Sequence, residues 1–167
     1  LDARIPGSST NPMIDAMRKE RQRPCLKILN KSDLADPKIT EDWLNYLNNI
    51  PQTKAISISA KSANDIKKIL PFCAKLAPHR NSSVKPLRML IMGVPNVGKS
   101  TIINAIQSMG HEVGLHFDAN QYDISSAEAL EIALIKEKNA VESIIGVGIN
   151  SFSFHNPAPE ILQFRSC

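Results

Sequence analysis

The stretch that decides the reading of this chain is GVPNVGKS, residues 93–100. It matches G-x-x-x-x-G-K-[ST], the spacing of a phosphate-binding loop. Gly93 and Gly98 let the backbone turn so that its N–H groups point inward around a phosphate. A helix opening near Lys99 adds unpaired amides and the positive end of its dipole. Lys99 is expected to reach the β/γ-phosphates and Ser100 to ligate Mg²⁺ through its hydroxyl. The backbone of Asn96, Val97 and Gly98, with Thr101 after the motif, completes the expected nucleotide-binding set. The loop alone points to a nucleotide phosphate and does not name the base.

Working outward, LRMLIMG (87–93) reads as a buried strand leading into the loop, and a helix follows over 99–109. Upstream, CLKILN (25–30) and KAISIS (54–59) are short apolar runs that read as strands. Helical periodicity fits 13–21, 40–48 with Thr40 as N-cap, and 64–76 with a kink or boundary at Pro71. Residues 77–86, APHRNSSVKP, read as a linker. The βαβα alternation predicts an α/β fold with a central parallel sheet. Beyond Gly110 the texture changes: a candidate strand in HEVGLHFDA, a long amphipathic helix over 126–145, and a short strand at SFSF (151–154).

Two polar segments follow the first two strands. NKSD (30–33) directly ends one, and SAK (59–61) ends the next. In open α/β sheets ligands bind at the carboxyl ends of strands. A carboxylate at Asp33 can accept from guanine N1–H and the exocyclic N2–H, a donor pair that adenine lacks. Asn30 can tie its loop to the base and to the phosphate loop. The stem of Lys31 can cover the ring face, and a backbone N–H within Ser59, Ala60 and Lys61 can meet guanine O6.

Charge is uneven along the 167 residues. Residues 1–106 hold 17 Lys+Arg against 8 Asp+Glu, net +9, and residues 107–167 hold 3 against 8, net −5. A basic segment suits a polyanion such as RNA, although a solvated lysine-rich surface has the same composition. Three separated cysteines fit a reducing compartment with no metal or disulfide role. No apolar run approaches the ~20 residues that span a bilayer. The expected location is cytoplasmic, with no membrane partner. The opening LDARIP lacks a methionine, so the chain is expected to be a fragment.

N-K-x-D, S-A-K and G-x-x-x-x-G-K-S together resemble the guanine- and phosphate-binding motifs of Ras-like GTPases. Their order here, base then base then phosphate, resembles the circularly permuted members. Asp2 to Pro6 (DARIP) with Asn11-Pro12 resembles the DAR(I/L)P…NP signature of the YlqF/RbgA group. The resemblance covers about residues 1–107. It implies a P-loop GTPase core with Mg²⁺ and GTP or GDP, acting in large-ribosomal-subunit assembly with rRNA as partner. Such a domain should continue to a switch threonine and a D-x-x-G element. Asp118 and Asp123 are the aspartates that remain, and neither has glycine three positions on. An incomplete GTPase domain over 1–107 is therefore expected, with GTP hydrolysis in doubt and no catalytic residue assigned.

The remainder, 108–167, resembles a piece of a polysaccharide-deacetylase-like, NodB-type domain through GHEVGLH (110–116) and SFSFHNP (151–157). That resemblance implies one metal ligand, His116, while Asn120 stands where a second histidine is usual. It leaves two alternatives to a GTPase: a non-catalytic RNA- or ribosome-binding module, and a fragment of a metal-dependent deacetylase.

Overall fold

In the computed structural model, residues 1–78, 87–155 and 157–164 are described. The chain divides into two compact units, Leu1–Ile102 and Ile103–Cys167.

The first unit is built on β1 (Cys25–Leu29) and β2 (Thr53–Ser57), paired in parallel with Cys25 opposite Thr53 and Leu29 opposite Ser57. Parallel neighbours need a crossover connection, and α2 (Pro37–Asn48) lies within it. Asp36, not Thr40, caps α2: its Oδ1 accepts from Ile39 N at 3.0 Å, and Pro37 opens the helix. The correction is physical, because proline at the first helical position loses no hydrogen bond. Thr40 sits buried in the first turn, its hydroxyl donating to Asp36 O. Ahead of β1, α1 (Pro12–Glu20) is capped by Asn11, which accepts from the Met13 and Ile14 amides.

The helix expected over 64–76 is two helices, α3 (Ala63–Lys67) and α4 (Ile69–Leu76), parted at Lys68. Pro71 supplies the reason: it has no N–H for the carbonyl of Lys67, and its ring crowds that position. The opening residues extend the sheet edge. Leu1 and Ala3 exchange backbone bonds with Asn30 at 3.0 and 2.7 Å, which places Asp2 beside the end of β1.

One face of this sheet is covered by α2, with Leu29, Leu47, Ala55 and Ala3 buried together and Trp43, Leu44 and Ile50 around them. By strand alternation Ile56 and Ile58 turn to the other face, where both are buried. The strand expected at 87–93 does not form. Residues 87–94 carry no regular structure, and Met89, Leu90, Ile91 and Met92 are substantially exposed. An apolar run signals a strand because of burial between neighbours, and among the described residues no strand pairs with this one. The first sheet therefore has two strands rather than the three expected. Most of the expected linker, residues 79–86, lies outside the described residues.

α5 (Lys99–Ser108) opens within the first unit and runs into the second. The second unit is a βαβ arrangement: β3 (Gly114–Phe117) and β4 (Ser151–Phe154) pair in parallel, and α6 (Ala127–Ile145) connects them. Ser126 caps α6 through Ala129 N, and Gly146 closes it at φ +72°, a conformation that glycine adopts without strain. Phe117, fully buried, centres a core with Leu115, Leu130, Ala133, Ile145 and Ile149.

Leu29 and Phe117 anchor separate cores, and each is fully buried. Leu29→Ala should cost roughly 2–5 kcal/mol and Phe117→Ala roughly 3–5 kcal/mol, read as the loss in urea-denaturation stability.

Candidate nucleotide-binding site

Asn30 closes β1 and is only 3% exposed. Its side-chain amide spans two loops. Nδ2 donates to Val97 O at 2.8 Å, inside the GVPNVGKS loop, and Oδ1 accepts from Ala60 N at 2.9 Å, inside the SAK segment. The three stretches singled out in sequence thus meet around one residue, all within the first unit.

Lys31 follows in the left-handed region, φ +62°. Its Nζ donates to Asn96 O at 2.6 Å and to Asp2 Oδ2 at 3.0 Å. Asp2 also receives Nε and Nη2 of Arg4 at 2.9 and 2.8 Å, a bidentate pair. The Arg4 guanidinium, with Lys31 beside it, holds the Asp2 carboxyl far below the usual carboxylate range. Asp33 sits on a single 3-10 turn, Ser32–Leu34, at the surface. Lys61 Nζ lies 3.0 Å from its carboxylate. That bond first, and a bond from Ser59 second, lower its pKa, so it is an ionised acceptor at neutral pH. The Ser59 amide itself donates to Asp65 Oδ2.

In the phosphate loop, Asn96 and Gly98 both have positive φ, +62° and +89°. Lys99 Nζ donates to the carbonyls of Gly93 and Val94 at 2.8 and 2.7 Å, folding over the loop. Val97 is buried, Ser100 is half-buried in the first turn of α5, and Thr101 is exposed beside it. The arrangement offers a cation, helix amides and a hydroxyl on one side, and a carboxylate acceptor on the other.

His116 is in the second unit and belongs to none of this. It lies on β3, with Nδ1 3.0 Å from Ser153 Oγ and Nε2 3.0 Å from His155 Nδ1. Asn120 donates to Asp118 instead of facing His116. Among the described residues no group of three or more His, Cys, Asp or Glu side chains is gathered for a metal ion. Sequence reasoning gave Asp2 and Arg4 no site role. The DARIP run was visible, but its link to Lys31 depends on the edge pairing of residues 1–3 with Asn30.

A family model described as 50S ribosome-binding GTPase matches residues 88–119. Ribosome biogenesis GTPase A of Bacillus cereus is 40% identical over 113 residues, covering 64% of this chain and 37% of that protein. The chain is similar to ribosome biogenesis GTPases. Mitochondrial ribosome-associated GTPase 1 of Ictalurus punctatus is 37% identical over 116 residues, 64% of this chain and 34% of the relative. Guanine nucleotide-binding protein-like 3 of Mus musculus is 34% identical over 125 residues, 64% of this chain and 23% of the relative. The chain thus spans well under half the length of these relatives.

Two outcomes are expected from the geometry. A Cβ at Gly98 would fall 2.2 Å from Asn30 Nδ2, and the positive φ disfavours any L side chain. Gly98→Ala should therefore break the Asn30 bridge and destabilise the chain by roughly 1–2 kcal/mol from backbone strain alone, read in a urea titration. The second concerns acid. The Asp2 pKa is lower folded than unfolded, so its stabilisation is complete above the unfolded value of about 3.9 and fades as pH falls below it. Asp2→Asn should flatten the acid limb of stability between about pH 4 and pH 2, while at pH 7 it should cost about 2 kcal/mol through the lost charged bonds.

Proposed function

We propose that this chain carries the guanine-nucleotide site of a circularly permuted GTPase of the YlqF/RbgA group, which assists assembly of the large ribosomal subunit. The observation that carries the reading is the Asn30 side chain, bonded at once to Val97 O and Ala60 N. A base-reading loop, a second base loop and a phosphate loop at 30–33, 59–61 and 93–100 converge although the phosphate loop comes last in the chain. Permutation of this kind is tolerated because strand positions, not chain order, assemble a site.

Asp33 reads guanine through N1–H and N2–H, exchanging its surface partner Lys61 for the base. Within 59–61 the Ser59 and Ala60 amides already donate to Asp65 and Asn30, which leaves the Lys61 N–H for O6. Lys31 covers the ring, with its ammonium moored on Asp2 and Asn96 O. Lys99 gives up two carbonyl bonds for phosphate oxygens, and the amides from Asn96 through Thr101 complete the cradle. The residues present suit Mg²⁺: Ser100 would hold it by its hydroxyl, and the ion would neutralise phosphate charge. The proposal is nucleotide binding, since neither Asp118 nor Asp123 belongs to a D-x-x-G element that would orient a hydrolytic water. Support for the ribosomal role comes from the similarity to ribosome biogenesis GTPases and from the +9 charge of residues 1–106. The proposed location is the cytoplasm; no helix among the described residues is long and apolar enough to cross a membrane.

The test is a titration of fluorescent GDP against fluorescent ADP with Mg²⁺. Tighter GDP binding by tenfold or more is expected; equal affinity, or none, would sink the guanine assignment. Asp33→Asn should shift preference toward xanthosine diphosphate, whose C2 oxygen accepts where guanine donates. Salt-sensitive co-sedimentation with large ribosomal subunits tests the assembly role separately.

A further inference from the structure

A concave surface of the first unit shares no residue with the nucleotide site. It is a groove of about 470 Å³ between α1 and α2, a size within the usual range for small-ligand sites. Its floor and wall carry an aromatic pair, Trp43 and Tyr46, packed edge to face at 5.7 Å. Tyr46 is 61% exposed, an apolar ring left facing water. Trp43 packs against the core that holds Leu29 and Leu47.

The opposite wall is basic. Lys27, only 8% exposed, is paired with Asp15 at 2.6 Å, so those two charges cancel. Arg18 and Lys19 line the groove beside them, and among the described residues neither forms an ion pair. The Arg18 guanidinium is underused: one 3.4 Å bond reaches Arg23 O, and its buried Nε–H has no acceptor. Arg21 and Arg23 continue the positive run beyond the helix, against the single acid Glu20.

From these observations we infer that the α1–α2 groove binds single-stranded RNA, stacking a base on the open Tyr46 ring, with Trp43 perpendicular beside it, while Arg18 and Lys19 take its phosphates. Stacking needs an unpaired base, because in a duplex the faces are already covered. Asp42 also lines the groove. A carboxylate there repels a purely acidic partner but accepts hydrogen bonds from base amino groups, which favours RNA over an acidic peptide.

Trp43 is the sole tryptophan of the chain, so its fluorescence reads the groove directly. The experiment titrates the full chain, saturated with Mg²⁺ and GDP, with oligo(A) and oligo(U) hexanucleotides. Quenching is expected, weakened about tenfold by Tyr46→Ala and largely kept by Tyr46→Phe. Arg18→Gln with Lys19→Gln should lower the slope of log K against log salt by about 1.4, two phosphate contacts on a single strand. GDP affinity and the urea midpoint of Tyr46→Ala should match the parent, which separates a failure here from a failure of the guanine reading and from misfolding. The inference is overturned by an absence of quenching, by unchanged affinity in Tyr46→Ala, by equal binding of duplex RNA, or by a poly-glutamate peptide that binds as tightly as RNA.

Discussion

The side-chain amide of Asn30 is the bond on which the first unit's site depends. It is out of water, so each of its polar atoms must find a partner. Nδ2 finds Val97 O and Oδ1 finds Ala60 N, while the backbone of the same residue is paired with Leu1 and Ala3. One residue therefore joins the opening segment, the end of β1, the loop after β2 and the phosphate loop. No carboxylate could replace it, because the bond to Val97 O requires a donor. The close approach also explains Gly98, since any side chain there would collide with the amide.

Around that bond lies a web of charge. Asp2 collects Arg4 and Lys31, and Lys31 reaches on to Asn96 O. Lys31 and Asn96 both sit at positive φ, a conformation held against its intrinsic cost by the contacts their neighbours make. Lys99 and Asp33 are different: each is satisfied by partners it can exchange, two loop carbonyls for one and an exposed lysine for the other.

The groove between α1 and α2 follows the opposite logic. Its charged pair, Lys27 and Asp15, is internal and closed; the half-buried Arg18, the exposed Lys19 and the Tyr46 ring are left without such a pairing among the described residues. At the first site, by contrast, Lys31 and Lys99 are folded onto acceptors of the chain itself.

Much was legible in the chain itself. The helices α1, α2, α5 and α6 and the strands β1, β2, β3 and β4 match elements read from apolar runs and periodicity, and the three polar motifs follow from their residue types and spacing. The misses have separate causes. Thr40 lost the cap position to Asp36 because the proline after Asp36 is a stronger start signal. The apolar run at 87–93 read as a strand, yet a strand exists only through its neighbours, and none pairs with it. Local sequence determined where chain could turn, cap and cradle an anion, since those properties belong to single residues and their spacing. The residues themselves pointed to a tie between Asn30 and the phosphate loop; tertiary structure alone decided that its partner would be Val97 O, 67 positions on, that Asp2 would moor Lys31, and that Tyr46 would be left open beside Arg18. Those contacts depend on which faces the parallel pairing of β1 and β2 brings together, and residue spacing carries no record of that.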